Sequence, residues 1–324
     1  MPSPIFLVSL DQQFLSDHPQ LVEQSRQLAQ AYQAKTAVIK DEELQRIGAN
    51  LWQALDCETD FLAQEQASGQ NALNIIIQSD NAQVLNLAWE TLYHPTFGFL
   101  ARSERFTLSR RLPMQPAPKL PAVECTPLRI LLFAAMPMDL GEHGRLQIEE
   151  EKANILQAVT PLEDQGLVQL IAPEDGRFES FKQALQAHQP HLVYLSGHGS
   201  LRHNTIDNSY QGQFLFEDHD ANSLEVPEHE LVECFNNTQV QAIVLSACES
   251  GKFDARDLNN GLSIRLAQKG IPHVIGMRES ILDSAGLEFA VTFLQQIAHK
   301  KSVAIALQTA RCAIQSHITG YISR

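Results

Sequence analysis

From Leu128 to about Ser316 the chain alternates short apolar runs with amphipathic stretches, and this alternation limits the fold more than any other feature. LRILLFAAMP is an unbroken apolar run stopped at Pro137, which suits a strand buried on both faces. QIEEEKANILQAV follows, with Ile148, Ile155 and Val159 at helical spacing and acidic residues read as its first turns, where the helix dipole favours them. LVQLIAP, FESFKQALQAH and HLVYLSGHG then read as strand, helix and strand. The order is that of a βαβ chain with a mainly parallel sheet flanked by helices.

GQFLFEDHDANSLEVPEH reads as a hairpin beside that sheet. Helical ELVECF leads to the strand QAIVLSACESG, then to NGLSIRLAQKG, a helix ended by Gly270, and to the strand PHVIGM. Helices over 284–298 and 303–316 finish the pattern. The first 120 residues read as an α+β region: helices at 21–32 and 42–55, a strand NALNIIIQ, and short strands within LAWETLYHPTFGFLARSERFTLSRRL. The proline-rich PMQPAPKLPAVECTP reads as a linker, so the expected domains are 1–120 and 121–324.

Composition narrows the function. An apolar content of 44% supports a substantial core, and 24 Lys+Arg against 38 Asp+Glu leave a net charge of −14. That balance argues against nucleic acid or an anionic membrane as a direct partner. No apolar run approaches the ~18 residues of a membrane span, and the N-terminus lacks the basic and apolar regions of a secretion signal. A cytoplasmic protein is expected. The five cysteines are odd in number and lack metal or redox spacing, so reduced thiols are expected.

Two strand ends carry chemistry-bearing residues. YLSGHG ends on His198 between Gly197 and Gly199, and VLSACESG ends on Cys248 fifty residues later. In open α/β sheets, ligands gather at the carboxyl ends of strands. A thiol with a pKa of ~8.5 needs a neighbouring imidazole to become a nucleophile at neutral pH, and the imidazole then protonates the leaving amine. The amides of Gly199 and Cys248 are the candidate oxyanion donors, and the glycines are read as letting the backbone turn sharply. Taken singly, His198 or Cys248 reads more simply as packing; the pairing gives the catalytic reading its weight. Cys57, Cys125, Cys234 and Cys312 read as structural, and the other histidines as surface or satisfied residues, His203 being the one near the site.

YLSGHG and VLSACESG, followed by GLSIRLAQKGIPHVIGM, resemble the CHAT family of caspase-like cysteine peptidases. LAWETLYHPTFGFLARSERFTLSRRL is similar to the segment upstream of the catalytic part in that family. The resemblance implies a caspase-like α/β fold and peptide-bond hydrolysis through a thioester, with His198 as base and acid and Cys248 as nucleophile. It implies Gly199 and Cys248 at the oxyanion positions, and no metal or organic cofactor. Metacaspase-like relatives place an acid two residues before the cysteine to bind a basic P1 side chain; Ser246 stands there in this chain. After PHVIGM, Arg278 and Glu279 replace a tryptophan common in the family, with Asp283 retained. Glu279 is either a pocket residue favouring a basic P1 or a solvated loop charge.

Relatives commonly act in bacterial defence or regulation, triggered by a sensor domain or partner, so a protein substrate and an activating domain or subunit are the expected partners. Relatives also add a strand after the point where ITGYISR ends this chain, which fits either a fragment or a compact protease with a separate activator. The alternative from another class is a non-catalytic caspase-like scaffold. A thiol-dependent acyltransferase would use the same pair.

Overall fold

A computed structural model describes residues 4–33, 39–113, 127–204, 209–248, 255–276 and 283–317. The chain divides into two compact units, Met1–Ala117 with Glu288–Arg324, and Pro118–Leu287.

The first unit opens with β1 (Ile5–Ser9), followed by α1 (Gln12–Asp17), α2 (Pro19–Gln33), α3 (Asp41–Leu55) and α4 (Glu58–Ser68). Then come β2 (Leu73–Gln78), the single turn α5 (Ala82–Leu85), the hairpin strands β3 (Tyr93–His94) and β4 (Gly98–Phe99), and β5 (Phe106–Arg111). β1, β2 and β5 form a parallel three-stranded sheet in that order. α3 begins with Asp41, Glu42 and Glu43, where the dipole favours acids, and buries Leu44, Ile47 and Leu51. His94 is a satisfied core histidine: its Nδ1 accepts the amides of Thr96 (3.0 Å) and Phe97 (3.3 Å), and its Nε2 lies 3.1 Å from Glu58 Oε1.

The second unit carries β6 (Leu128–Ala134), α6 (Glu142–Asp164), β7 (Val168–Ile171), α7 (Phe178–His188) and β8 (Leu192–Asn204). The hairpin β9 (Ser209–Glu217) and β10 (Ser223–Pro227) comes next, then α8 (Glu228–Glu233), β11 (Ala242–Cys248), α9 (Ala255–Gln268) and β12 (His273–Gly276); α10 (Asp283–Ala298) begins in this unit, and from Glu288 its residues belong to the first. β6 to β12 make one seven-stranded sheet, with β6, β7, β8, β11 and β12 mutually parallel and β9 antiparallel to both its neighbours, β8 and β10. The fold is α/β with a large, mostly parallel sheet flanked by helices, as in caspase-like proteins.

Alternation decides which residues meet which helices. Leu131, Phe133, Val193, Leu195, Ile243 and Leu245 share a core with Phe178 and Phe181 of α7, Leu231 of α8, and Leu262 and Leu266 of α9. α6 packs against β6 and β7, burying Ile148, Ile155 and Val159. Both faces are therefore covered, which is why the strands read as continuous apolar runs.

Three features differ from the sequence expectation. α6 starts at Glu142, so Glu149 to Glu151 lie in its middle and not its first turns. β9 and β10 are strands of the main sheet. β8 does not stop at Gly197-His198-Gly199 but runs extended to Asn204, because β9 continues to pair with it.

α11 (Val303–His317) belongs to the first unit, which takes up the chain again at Glu288. It packs on β5: Gln308 Nε2 donates to the carbonyls of Ala101 (2.9 Å) and Ser103 (3.0 Å), and Arg311 donates to that of Leu108 (3.2 Å). Among the described residues no helix is long and apolar enough to cross a membrane.

Candidate active site

β8 lies between two partners along its first half. β6 pairs with residues 192–196 on one side, and β11 pairs with residues 192–198 on the other. The chain winds from β6 outward to β7, then returns to β8 on the opposite side of β6. The carboxyl end of β6 and the end of the parallel part of β8 thus flank a change in strand order, where α/β proteins place their ligands.

His198 sits at that end. β6 pairs as far as Ala134 opposite Ser196, and β9 takes over the same edge with Leu215 opposite His198. On the other edge, Cys248 is the register partner of His198, the last pair of the β8–β11 ladder. Two residues fifty positions apart in sequence are therefore one strand spacing apart, about 4.8 Å between neighbouring strands. The His198 residue is 2% exposed.

Gly197 has a packing role at this point. A Cβ built there would lie 2.6 Å from Phe214 Cζ and 2.9 Å from its Cε1. Its backbone has no positive φ, so the sharp turn expected from the two glycines is absent and the space for an aromatic ring is the reason for this glycine.

Beneath the pair lies a polar cluster. Ser196 and Ser246 are directly opposite each other, two residues before His198 and Cys248 respectively. Glu151 of α6 reaches down to both: its Oε1 accepts from Tyr194 Oη (2.8 Å) and Ser246 Oγ (2.9 Å), and its Oε2 accepts from Ser196 Oγ. Tyr194, Ser196 and Ser246 are 0%, 1% and 3% exposed. A second carboxylate, Glu217 at the end of β9, accepts from the amides of Met136 (2.9 Å) and Gly176 (3.0 Å) and so ties down the segments leaving β6 and entering α7.

Of the other residues singled out by the sequence, Gly199 lies on β8 opposite Phe214, and His203 lies further along the same strand. Asp283 is the first residue of α10. Arg278 and Glu279 lie outside the described residues. Ser246 is bonded to Glu151 as above. Glu151 itself was missed by sequence reasoning, although a signal existed: it shares the helical stripe of Ile148, Ile155 and Val159, where a charge has to find buried donors.

The remaining described thiols contrast with a nucleophile. Burial, reinforced by Glu58, Asp60 and Asp56, pushes Cys57 up to about 11, and burial pushes Cys234 up to about 11. Burial also raises Cys312. These thiols stay protonated at neutral pH and are poor nucleophiles. Among the described residues no group of three or more His, Cys, Asp or Glu is placed to hold a metal ion.

Comparison with known families gives a match to the CHAT domain over residues 44–319, which takes in most of both units. No curated protein matches the chain. The match spans the upstream Trp89–Glu90 segment as well as both strand ends with His198 and Cys248, and the chain belongs to the CHAT-domain family, a caspase-like, peptidase-related group.

Proposed function

We propose that the protein is a cysteine endopeptidase that cleaves a partner protein through His198 and Cys248. The observation that carries this reading is their register: His198 and Cys248 are backbone partners on adjacent parallel strands, the last pair of the β8–β11 ladder, in a chain of the CHAT family.

In the proposed reaction His198 takes the proton of the Cys248 thiol as sulfur attacks the scissile carbonyl carbon. The carbonyl oxygen gains the negative charge, and the amides of Gly199 and Cys248 are its proposed donors, each worth about 3 to 4 kcal/mol in the transition state. As the oxyanion collapses, the C–N bond breaks and His198 gives its proton to the leaving amine. A water molecule, deprotonated by His198, then attacks the thioester; the C–S bond breaks and the thiol regains its proton. No metal or organic cofactor enters any step.

Ser246, Arg278, Glu279 and Asp283 are proposed to border the substrate channel. A sensor domain or separate subunit is proposed as activator, and bacterial defence or regulation in the cytoplasm as the setting. The net charge of −14 supports a protein substrate over nucleic acid or an anionic membrane.

The test uses a peptidyl acyloxymethyl ketone probe with candidate partner proteins present, comparing wild type with Cys248→Ala and His198→Ala. Covalent labelling and partner cleavage that vanish in both variants are expected. Equal behaviour of all three proteins would instead favour a non-catalytic scaffold.

A further inference from the structure

We propose that Glu151 is a positioning residue for the His198–Cys248 pair, holding the two strand ends together from the helix beneath them. The inference rests on the reading of that pair as a catalytic dyad. Its carboxylate joins three elements at one level: α6 through its own backbone, β8 through Tyr194 and Ser196, and β11 through Ser246. Ser196 and Ser246 are register partners, and the register pair two residues further on is His198 with Cys248, about 7 Å along the strands.

The place of the clamp matters. Ser196 is the last residue of β8 paired with β6, and from His198 onward that edge of β8 belongs to β9. On that edge the backbone ladder changes partner across Gly197, immediately before the histidine, so the pairing there is interrupted. A carboxylate accepting three hydroxyl hydrogens makes charge-assisted bonds, stronger than neutral ones and directional. An apolar residue at 151, matching Ile148 and Ile155, would cover the sheet but strip both buried serines of this acceptor.

Positioning has a large lever on rate. A displacement of ~1 Å between reacting groups is enough to lose about 10²-fold. Glu151 donates and accepts nothing from the substrate in this role; it acts through the spacing of two strands.

The experiment measures alkylation of Cys248 by iodoacetamide across pH, by mass spectrometry, in wild type, His198→Ala, Glu151→Ala and Glu151→Gln. Wild type should react with a midpoint below the ordinary thiol range, and His198→Ala should move it to about 8.5. Glu151→Ala should move the midpoint in the same direction and slow labelling at pH 7 by about 10- to 100-fold. Cys57, Cys234 and Cys312 should keep their slow labelling, which shows that the fold is intact. Glu151→Gln still accepts hydroxyl hydrogens and should recover most of the wild-type profile. Loss of stability alone would expose all the thiols together and would not move the Cys248 midpoint of the folded fraction.

A wild-type profile in Glu151→Ala overturns the inference, as does a Glu151→Gln protein that behaves like Glu151→Ala. Should Glu151→Ala fail to fold, the Ser196→Ala, Ser246→Ala double variant takes its place: it removes two donors without leaving orphaned hydroxyls and should show the same shift, and an unshifted profile overturns the inference. Coincident profiles of wild type and His198→Ala sink the dyad itself, and the inference with it.

Discussion

The ring of Phe214 fills the space that a side chain at Gly197 would need, with Cζ 2.6 Å from the position of a Cβ. Phe214 is fully packed among Phe216, Val193 and Leu195, so it has little room to yield. Gly197→Ala is therefore expected to destabilise the protein by about 1–3 kcal/mol, the usual cost of overpacking a filled core. Urea denaturation checks it, and Gly197→Ala with Phe214→Leu should recover part of the loss. An unchanged midpoint for the single variant would show that the ring is not held there.

If His198 and Cys248 act as one unit, their substitutions will not add. Replacing either by alanine should lower cleavage by about 10³-fold or more, and the double variant should be no worse than the poorer single one. The relevant comparison is single-turnover cleavage of one partner protein by all four enzymes. Multiplicative losses would mean that the two residues act independently.

The docking of α11 on β5 uses the side chains of Gln308 and Arg311, which makes it testable. Gln308 is 2% exposed and donates to two carbonyls, so Gln308→Ala leaves both without that donor at a cost of about 1–3 kcal/mol. Limited proteolysis should then cut near 303–317 first. Wild-type resistance in that variant would count against the docking.

Acid should weaken the fold below neutrality through two histidines. Burial, and for His191 also the charge of Arg129, lowers the pKa of His191, and burial lowers that of His273. The unfolded chain then binds more protons than the folded one below about 6.5, so stability rises with pH through that window and the contribution is complete above it. His191 also needs a bare Nδ1 to accept the Arg129 amide at 3.1 Å, and protonation removes that bond. Denaturation midpoints at pH 7.5 and 5.5 should differ less in His273→Gln than in wild type.

Local pattern was enough for the α/β architecture and for singling out two residues as candidates for chemistry. Continuous apolar runs such as LRILLFA and HLVYLS announce strands covered on both faces, and Ile148, Ile155 and Val159 announce the helix that covers one of them. His198 and Cys248 stood out because each follows such a run. Their strand positions are local properties, set by chain geometry over a few residues.

Adjacency was not local, and only the tertiary structure decided it. The pairing of β8 with β11, the Phe214 ring against Gly197, and the reach of Glu151 to Ser196 and Ser246 all join residues 17 to 95 positions apart. Periodicity reports which face a residue occupies but not which strand comes to lie beside it. A carboxylate on an apolar stripe signals only that buried donors must exist; the folded sheet supplied Tyr194, Ser196 and Ser246, one rung below the pair to which the sequence had pointed.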